Sequence, residues 1–307
     1  MKILNQVTAI WIKPLVAKKI RLMLIKAFLS FLFLLGSLTA NGQEEEGVFW
    51  EISGENLTAP SYLFGTIHLI CEEDFALSDQ VTDKLSESEA LVLEIDMDDP
   101  ALQIEMMNNI YNKEGQQITD YLSKEEYLEL HTFLKERTGM DLDMLKGMRP
   151  MVLMSLIYNN LLACETRSFE NELMKLAHAE EIEVVGMETV EDQLSLFDII
   201  PLKDQYRTFY TYTSNLEKGQ REFRKLIMSY KEENILELLK MVGESPEYKD
   251  YQDVFLSDRN KNWVGSMGNI MKDEPVFFAV GAGHLAGPEG LISLLKKEGF
   301  KLKRIFL

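Results

Sequence analysis

Short apolar runs alternate with longer, helically periodic segments along most of the chain. The short runs are rich in β-branched and aromatic residues and are bounded by turn residues, which is typical of strands. Longer segments repeat their apolar residues every three to four positions, which is typical of helices. The predicted strands cover residues 48–53, 61–68, 91–97, 182–188, 275–284 and 301–307.

Capping residues sharpen the helix predictions. Ser123 and Glu126 have the spacing of a capping box, and Gly139 follows as a stop signal. Pro150 opens a segment, 150–163, that is apolar over most of its circumference, which predicts a buried helix. Further helices are predicted over 77–90, 168–181, 190–200 and 287–300, and region 202–272 is helical and charge-rich.

Buried-looking strands that alternate with helices predict an α/β fold, with a central mixed sheet and helices on both faces. No internal repeat or Pro/Gly-rich linker divides the chain, so residues 41–307 are predicted to form one domain. The helical stretches around 100–165 and 200–272 are predicted insertions into that domain. In such sheets the ligand crevice lies at the carboxyl ends of the strands, and the site is expected there.

The first 40 residues have a different pattern. Residues 1–26 hold six basic and no acidic residues, and an apolar stretch and small residues follow. This order is typical of a signal peptide cleaved after Ala40, with Met23 as a possible true start. Export to a periplasm or the cell exterior is therefore expected, with an uncleaved N-terminal membrane anchor as the alternative.

Charge and cysteine content narrow the class of protein. The net charge of −18, which becomes −24 without residues 1–40, argues against a nucleic-acid partner, because phosphate binding needs clustered cations. Export would permit a disulfide between Cys71 and Cys164. Two cysteines do not make a disulfide scaffold, however, and two buried free thiols are the favoured prediction.

Polar residues end four of the predicted strands. The frame Gly-x-x-His occurs twice, from Gly65 to His68 and from Gly281 to His284, and Glu94 and Glu188 end two other strands. Imidazoles and carboxylates that converge at one sheet edge suit a divalent metal (Mn, Fe, Co or Zn) or acid–base chemistry. The glycines allow backbone or solute to approach closely. Taken singly, hydrogen-bonded structural histidines and helix-capping glutamates are the alternatives.

Other polar residues carry weaker signals. His131 and His178 lack the glycine frame and are predicted to lie on the surface, and the acidic residues of 96–99 are predicted to form a solvated loop. Spacing slightly favours Arg259 as an exposed helix residue; the alternative is a positive group for an oxyanion. No zincin motif and no Gly-x-Ser-x-Gly elbow is found.

Over residues 47–307 the chain resembles the TraB/GumN family, to which the Tiki-type metalloproteases are related. "YLFGTIHL" at 62–69 and "VGAGHLAGPEGLISLLKKEGF" at 280–300 resemble its two Gly-x-x-His motifs. "LVLEID" at 91–96 is similar to its acidic strand end, "VVGMETVEDQLSLF" at 184–197 to its Gln-containing segment, and "DRN" at 258–260 to its Arg-Asn pair.

The resemblance implies a metal-dependent hydrolase of peptide bonds, in a fold shared with erythromycin-esterase-like and haem-binding ChaN-like proteins. Binding of haem, iron or a small ligand without turnover is the alternative. The implied active-site and metal residues are His68, Glu94, Glu188 and His284, with Arg259 and Asn260 facing them and Gln193 in support.

The mechanism expected is hydrolysis by a metal-activated water. His68, His284 and at least one of the two carboxylates hold the metal, the other carboxylate is the general base, and Arg259 stabilises the oxyanion. Two departures from the family pattern stand out. Ser168 and Glu170 replace a Gly-x-Asp and are expected to alter substrate contacts, and Met151 replaces the Trp of a Pro-Trp pair, which affects packing.

Overall fold

The computed structural model describes residues 46–54, 56–246 and 248–307. The predicted signal peptide, 1–40, lies outside the described residues. Within those ranges no helix is both long enough and apolar enough to span a membrane.

Strands and helices alternate along the described chain. The strands are β1 (Phe49–Ser53), β2 (Ser61–Thr66), β3 (Ile70–Cys71), β4 (Ala90–Ile95), β5 (Thr166–Arg167), β6 (Glu183–Glu188), β7 (Val276–Gly281) and β8 (Lys301–Arg304). The α-helices are α1 (Asp79–Ser86), α2 (Leu102–Asn108), α3 (Lys124–Thr138), α4 (Leu142–Leu145), α5 (Pro150–Leu162), α6 (Phe169–Ala179), α7 (Val190–Asp198), α8 (Leu202–Ser214), α9 (Leu216–Lys231), α10 (Ile235–Glu244), α11 (Asp258–Ile270) and α12 (Leu291–Lys297).

The α/β prediction is confirmed. Six strands form one mixed sheet in the order β6-β4-β7-β2-β1-β8. Strands β6, β4, β7 and β2 are parallel to one another, and β1 is antiparallel to both β2 and β8. Every residue of β2 is buried, as expected where helices cover both faces of a sheet. The parallel strands bring four carboxyl ends to the same edge.

Local sequence signals account for several helix ends. Ser123 and Glu126 form the predicted capping box at the start of α3, and Gly139 ends that helix in the left-handed region at φ 73°. Pro150 is the first residue of α5. Thr189 caps α7 through a second capping box with Asp192. These caps satisfy backbone N–H groups that would otherwise lack a partner.

Helices of the two predicted insertions form a second apolar cluster apart from the core of the sheet. Its buried residues are Ile118, Leu122, Leu130, Leu134, Leu142, Leu153, Ile157, Tyr206 and Phe209. The prediction that α5 is a buried helix holds for only one side of it, which packs into this cluster. Tyr158 on α5 is 39% exposed, and Ser155 and Asn159 are also exposed.

The favoured prediction for the cysteines is also wrong. Cys71 and Cys164 form a disulfide, with Cα atoms 5.6 Å apart. Strands β3 and β5 pair beside it as a small antiparallel ribbon, in which Ile70 lies opposite Arg167 and Cys71 opposite Thr166. The pairing brings together two segments that are 93 residues apart in sequence, which local sequence patterns do not reveal.

Candidate active site

The predicted polar residues collect at the carboxyl edge of the parallel strands. In the register of the sheet Thr66 lies opposite Gly281, and Ile95 lies opposite Glu188. His284 ends a short 3₁₀ turn that directly follows β7. Strand β2 ends at Thr66, two residues before the predicted His68, so this histidine stands on the connection beyond the sheet.

Arg259 lies at the centre of the cluster and is only 8% exposed, so the expectation of an exposed helix residue is wrong. Its Nη2 donates to Glu94 Oε2 at 2.6 Å and to Glu188 Oε2 at 2.7 Å. Its Nε also donates to both oxygens of Glu188, at 3.0 and 3.1 Å. Two carboxylates at strand ends compensate the buried cation, and their charges raise its pKa against the effect of burial.

Two further donors complete the shell around the carboxylates. Trp263 Nε1 donates to Glu188 Oε1 at 2.9 Å, and its ring lies 4.6 Å from the Arg259 guanidinium carbon. Gln193 Nε2 donates to Glu94 and to Glu188, each at 3.3 Å. Glu188 is thus held by arginine, tryptophan and glutamine donors. This geometry suits an anchor for Arg259 better than the predicted metal ligand or general base.

His284 is buried, and its hydrogen bonds indicate which ring nitrogen carries the proton. Asn260 uses its Nδ2 to donate to the carbonyls of His284 and Glu289, so its Oδ1 accepts a hydrogen bond from the Nδ1–H of His284 at 2.6 Å. His284 Nε2 accepts from Arg259 Nη1 at 3.2 Å. Burial first, and then the nearby positive charge of Arg259, lower the pKa of His284 to about 3. The ring is therefore neutral at pH 7, with the Nε2 lone pair facing the site.

His68 is held by a carboxylate that was not predicted as a site residue. Its Nδ1 lies 2.9 Å from Glu170 Oε1, which also accepts from the Thr66 hydroxyl at 2.6 Å. The other Glu170 oxygen accepts from the Ser168 hydroxyl at 2.9 Å. Desolvation opposes a charge on His68, but the hydrogen bond and charge of Glu170 outweigh it and raise the pKa. Solvent screens part of this effect, since 70% of the His68 side chain is exposed.

Gly281 leaves open space between the two histidines and Glu94. A Cβ atom at this position would lie 3.3 Å from Glu94 Oε1, 3.8 Å from His68 Nε2 and 3.8 Å from the His284 ring. The Gly281 N–H donates to Glu94 Oε1 at 2.8 Å. Burial raises the pKa of Glu94, but His284, Arg259, His68 and this N–H together lower it to about 2. The ionised oxygen therefore faces the same small space as both rings.

The other predicted support residues have structural contacts. Asn260 is buried and fixes His284, as described above. Gly65 touches the turn after β7 instead of the site, because a Cβ there would lie 2.5 Å from Leu285 and 3.1 Å from Ala282. Its carbonyl accepts from the Tyr230 hydroxyl at 2.9 Å. Gly65 thus allows the close approach of backbone that the sequence predicted.

A second group of possible metal ligands lies in the helical segment between β4 and β5. Among the described residues, His131, Asp141 and Asp143 have ligand atoms within 4.8 Å of one another. Asp141 also caps α4 through the Asp143 N–H, and Tyr127 donates to Asp143 at 2.8 Å. Helix capping explains this group without a metal. The possible ligand atoms of His68, Glu94 and His284 are more widely spaced. No three of them lie within 4.8 Å of one another.

The hydrogen bonds of the two histidines nevertheless favour His68, Glu94 and His284 as the metal site. Metal-binding histidines usually donate the N–H of their other ring nitrogen to a carboxylate or carbonyl oxygen. His68 does so to Glu170 and His284 to Asn260, which leaves both Nε2 atoms as the possible ligands. The ionised Glu94 lies beside His284 Nε2, at 3.9 Å. The two Nε2 atoms and Glu94 are therefore the candidate ligands of a divalent cation, which would have to displace the Nε2 proton that the raised pKa of His68 favours and the Arg259 hydrogen bond to His284.

Glu170 and Trp263 were missed as site residues by reasoning from the sequence. Glu170 was noted only as a departure from a family pattern, and Trp263 only as part of a helical region. A weak signal existed for each, because Glu170 replaces an acidic residue, and Trp263 lies four positions after Arg259, one helical turn away. The remaining histidines are at the surface: His178 bonds Asp98 at 2.7 Å, and His131 belongs to the group described above.

The profile of the TraB/PrgY/gumN family matches residues 48–304, which is most of the chain and includes both Gly-x-x-His motifs. The chain belongs to this family. No curated protein and no solved structure matches it. The family assignment agrees with the site geometry, since the residues singled out by the resemblance, His68, Glu94, Glu188, His284 and Arg259, lie at one edge of one sheet.

Proposed function

We propose that this TraB/PrgY/gumN-family protein is an exported, divalent-metal-dependent hydrolase that cleaves peptide bonds. The main support is the space beside Gly281. His68 Nε2 and the His284 ring border this space, and Glu94 presents an ionised oxygen to it. Each ring is oriented through Nδ1 by a separate polar partner. Such preorganised nitrogen and oxygen donors suit Mn, Fe, Co or Zn.

His68, His284 and Glu94 would hold the metal in this proposal, and the metal would lower the pKa of a bound water towards neutrality. Glu188 keeps Arg259 in place, and Gln193 donates to Glu188 and Glu94. Arg259 Nη1 now donates to His284 Nε2 and to the Phe255 carbonyl, each at 3.2 Å. If the His284 lone pair served as a ligand, one Nη1–H would lose its acceptor. That donor would then be free to bind a substrate carbonyl oxygen and to stabilise the charge that develops on it.

Export is part of the proposal and has two independent supports. The N-terminal pattern of basic, apolar and small residues is typical of a signal peptide. The Cys71–Cys164 disulfide suits an oxidising compartment such as a periplasm or the cell exterior. The substrate would then be an exported or extracellular peptide. Fractionation of cells that produce the full chain should place it outside the cytoplasm, and retention of unprocessed protein in the cytoplasm would contradict this part.

The hydrolase proposal is tested with purified residues 41–307 loaded separately with Mn, Co, Fe or Zn. A mixed peptide library is incubated with each form, and cleavage products are read by mass spectrometry. Cleavage is expected with at least one metal, abolished by chelator and by His284→Ala. His131→Ala is the matched control, because it removes a histidine from the surface group, and it should cleave normally.

Two results would contradict the proposal. The first is cleavage that survives in His284→Ala. The second is no cleavage with any metal, accompanied by a visible absorption band on addition of haem that one of the two site histidines controls. The second result would favour the ligand-binding alternative.

A further inference from the structure

The contact that fixes His68 depends on residues outside the predicted site. Glu170 is 7% exposed and accepts from three side chains: Thr66, Ser168 and His68. The two hydroxyl groups therefore hold both oxygens of the Glu170 carboxylate in place, independently of the imidazole. A rigid acceptor of this kind orients a ring that is otherwise largely open to solvent, since 70% of the His68 side chain is exposed.

The ribbon of β3 and β5 brings His68 and Glu170 together. His68 lies two residues before β3, and Glu170 lies three residues after β5. A backbone hydrogen bond from Glu72 N to Glu165 O, at 2.9 Å, extends the pairing. Two strands of two residues each form too little structure to be stable alone. The Cys71–Cys164 disulfide closes the ribbon at the end away from the site.

We propose that Glu170 is the positioning residue of His68, and that the Cys71–Cys164 disulfide maintains the ribbon across which the two residues meet. The inference deepens the proposed function, since the oriented Nε2 of His68 is the one assigned to the metal. Glu170 acts only through His68: its carboxylate accepts a hydrogen bond from the Nδ1–H and leaves Nε2 directed at the space beside Gly281. A reduced ribbon would leave this contact without its covalent support.

The first test reads the imidazole of His68 directly, without metal or substrate. The chain has only four histidines, so ¹⁵N–¹H spectra of protein labelled at histidine are simple to assign. A protected, downfield Nδ1–H signal is expected for His68 in the wild type and is expected to vanish in Glu170→Ala. Glu170→Gln should restore it, because Gln keeps an acceptor oxygen while the Ser168 hydroxyl can switch from donor to acceptor. Glu180→Gln, just past the end of the same helix, is the matched control.

Metal affinity is the second readout, measured by competition with a chromogenic chelator. Loss of a partner that orients a metal-binding histidine typically weakens binding by about 10–100-fold, which is the loss expected for Glu170→Ala. Glu170→Gln should lie between Glu170→Ala and the wild type, and Glu180→Gln should match the wild type. An unchanged His68 signal in Glu170→Ala overturns the assignment of Glu170, even if the variant is less stable.

The disulfide is tested in two ways, in case the double variant folds poorly. Cys71→Ser/Cys164→Ser should broaden the His68 Nδ1–H signal and weaken metal binding. Phosphine reduction of the folded wild type should have the same effects, and both cysteines line a cavity of about 540 Å³. A sharp, unchanged His68 signal after confirmed reduction overturns the role of the disulfide. If the wild type binds no metal, the proposed function fails, but the imidazole signal still decides this inference.

Discussion

Replacing Arg259 by Met should destabilise the folded protein strongly at neutral pH and much less in mild acid. The guanidinium contacts Glu94 at 2.6 Å and Glu188 at 2.7 Å, and the two carboxylates have side chains only 12% and 13% exposed. Met preserves most of the length of the side chain, but it removes the charge, its hydrogen bonds and the cation–π contact with Trp263. The variant therefore buries two carboxylates without their arginine partner.

The size of the effect follows from the cost of such burial. Removing one partner of a buried ion pair costs roughly 3–5 kcal/mol. Protonation of a carboxylate limits that cost. Neutralising a carboxyl group with the ordinary pKa of 4.5 at pH 7 requires about 3 kcal/mol, because each pH unit above the pKa adds about 1.4 kcal/mol. We expect the free energy of unfolding to fall by roughly 3–5 kcal/mol at pH 7.

The pH dependence has a definite sign. The folded variant would hold one proton more than its unfolded chain, so its stability should rise by about 1.4 kcal/mol for each unit that the pH falls towards 4.5. In the wild type the pKa of Glu94 is lowered to about 2, so its stabilising contribution is fully present above pH 4.5 and is lost only as the pH falls towards 2. The deficit of the variant should therefore shrink by about 2 kcal/mol between pH 7 and pH 5.5.

Urea unfolding followed by circular dichroism at these two pH values measures the deficit. Arg207→Met is the matched control: it removes an arginine that pairs with Glu126 at 2.6 Å on the exposed surface, where solvent screens the interaction. It should leave the unfolding curve nearly unchanged at both pH values. A deficit below about 1 kcal/mol for Arg259→Met, or one that does not change with pH, would refute the view that Arg259 holds two ionised carboxylates in the protein interior.

Two further substitutions test metal binding at the site and the stability of the fold separately. Gly281→Ala would place a methyl group 3.3 Å from Glu94 Oε1, in the space assigned to the metal, so chelator competition should show weaker metal binding with little change in stability. Gly268→Ala, near the far end of the helix that carries Arg259, would place its methyl group beside Phe300 and should bind metal as the wild type does. Equal affinity in the two variants would contradict the assignment. Thr189→Ala removes the hydroxyl that caps α7 and should lower the free energy of unfolding by about 1 kcal/mol in urea; an unchanged curve would show that the cap contributes nothing.

The sequence predicted the parts of the site that strands deliver. His68, Glu94, Glu188 and His284 were identified because a short apolar run followed by a polar residue is a local pattern. Parallel pairing then places the ends of such runs at one edge. The α/β class with a central mixed sheet follows from the same alternation of strands and helices. These inferences need no knowledge of which distant residues touch.

The sequence failed where the outcome depends on distant contacts. Arg259 looks like an exposed helix residue because its neighbours in sequence are polar, and only Glu94 and Glu188, 165 and 71 positions earlier, make its burial favourable. Glu170 faces His68 from 102 positions away through a ribbon closed by a disulfide. The exposed side of α5 has the same origin, since apolar residues can face a small satellite cluster as well as the main core.

Metal content of purified residues 41–307 shows whether the histidines at the sheet edge bind a divalent cation. Three proteins are each loaded with Mn, Fe, Co or Zn, dialysed and measured by elemental analysis: the wild type, the double variant His68→Ala/His284→Ala, and His131→Ala. We expect near-stoichiometric metal in the wild type and in His131→Ala, and none in the double variant. Metal that remains in the double variant but is lost from His131→Ala would contradict this expectation and would place the ion at His131, Asp141 and Asp143 instead.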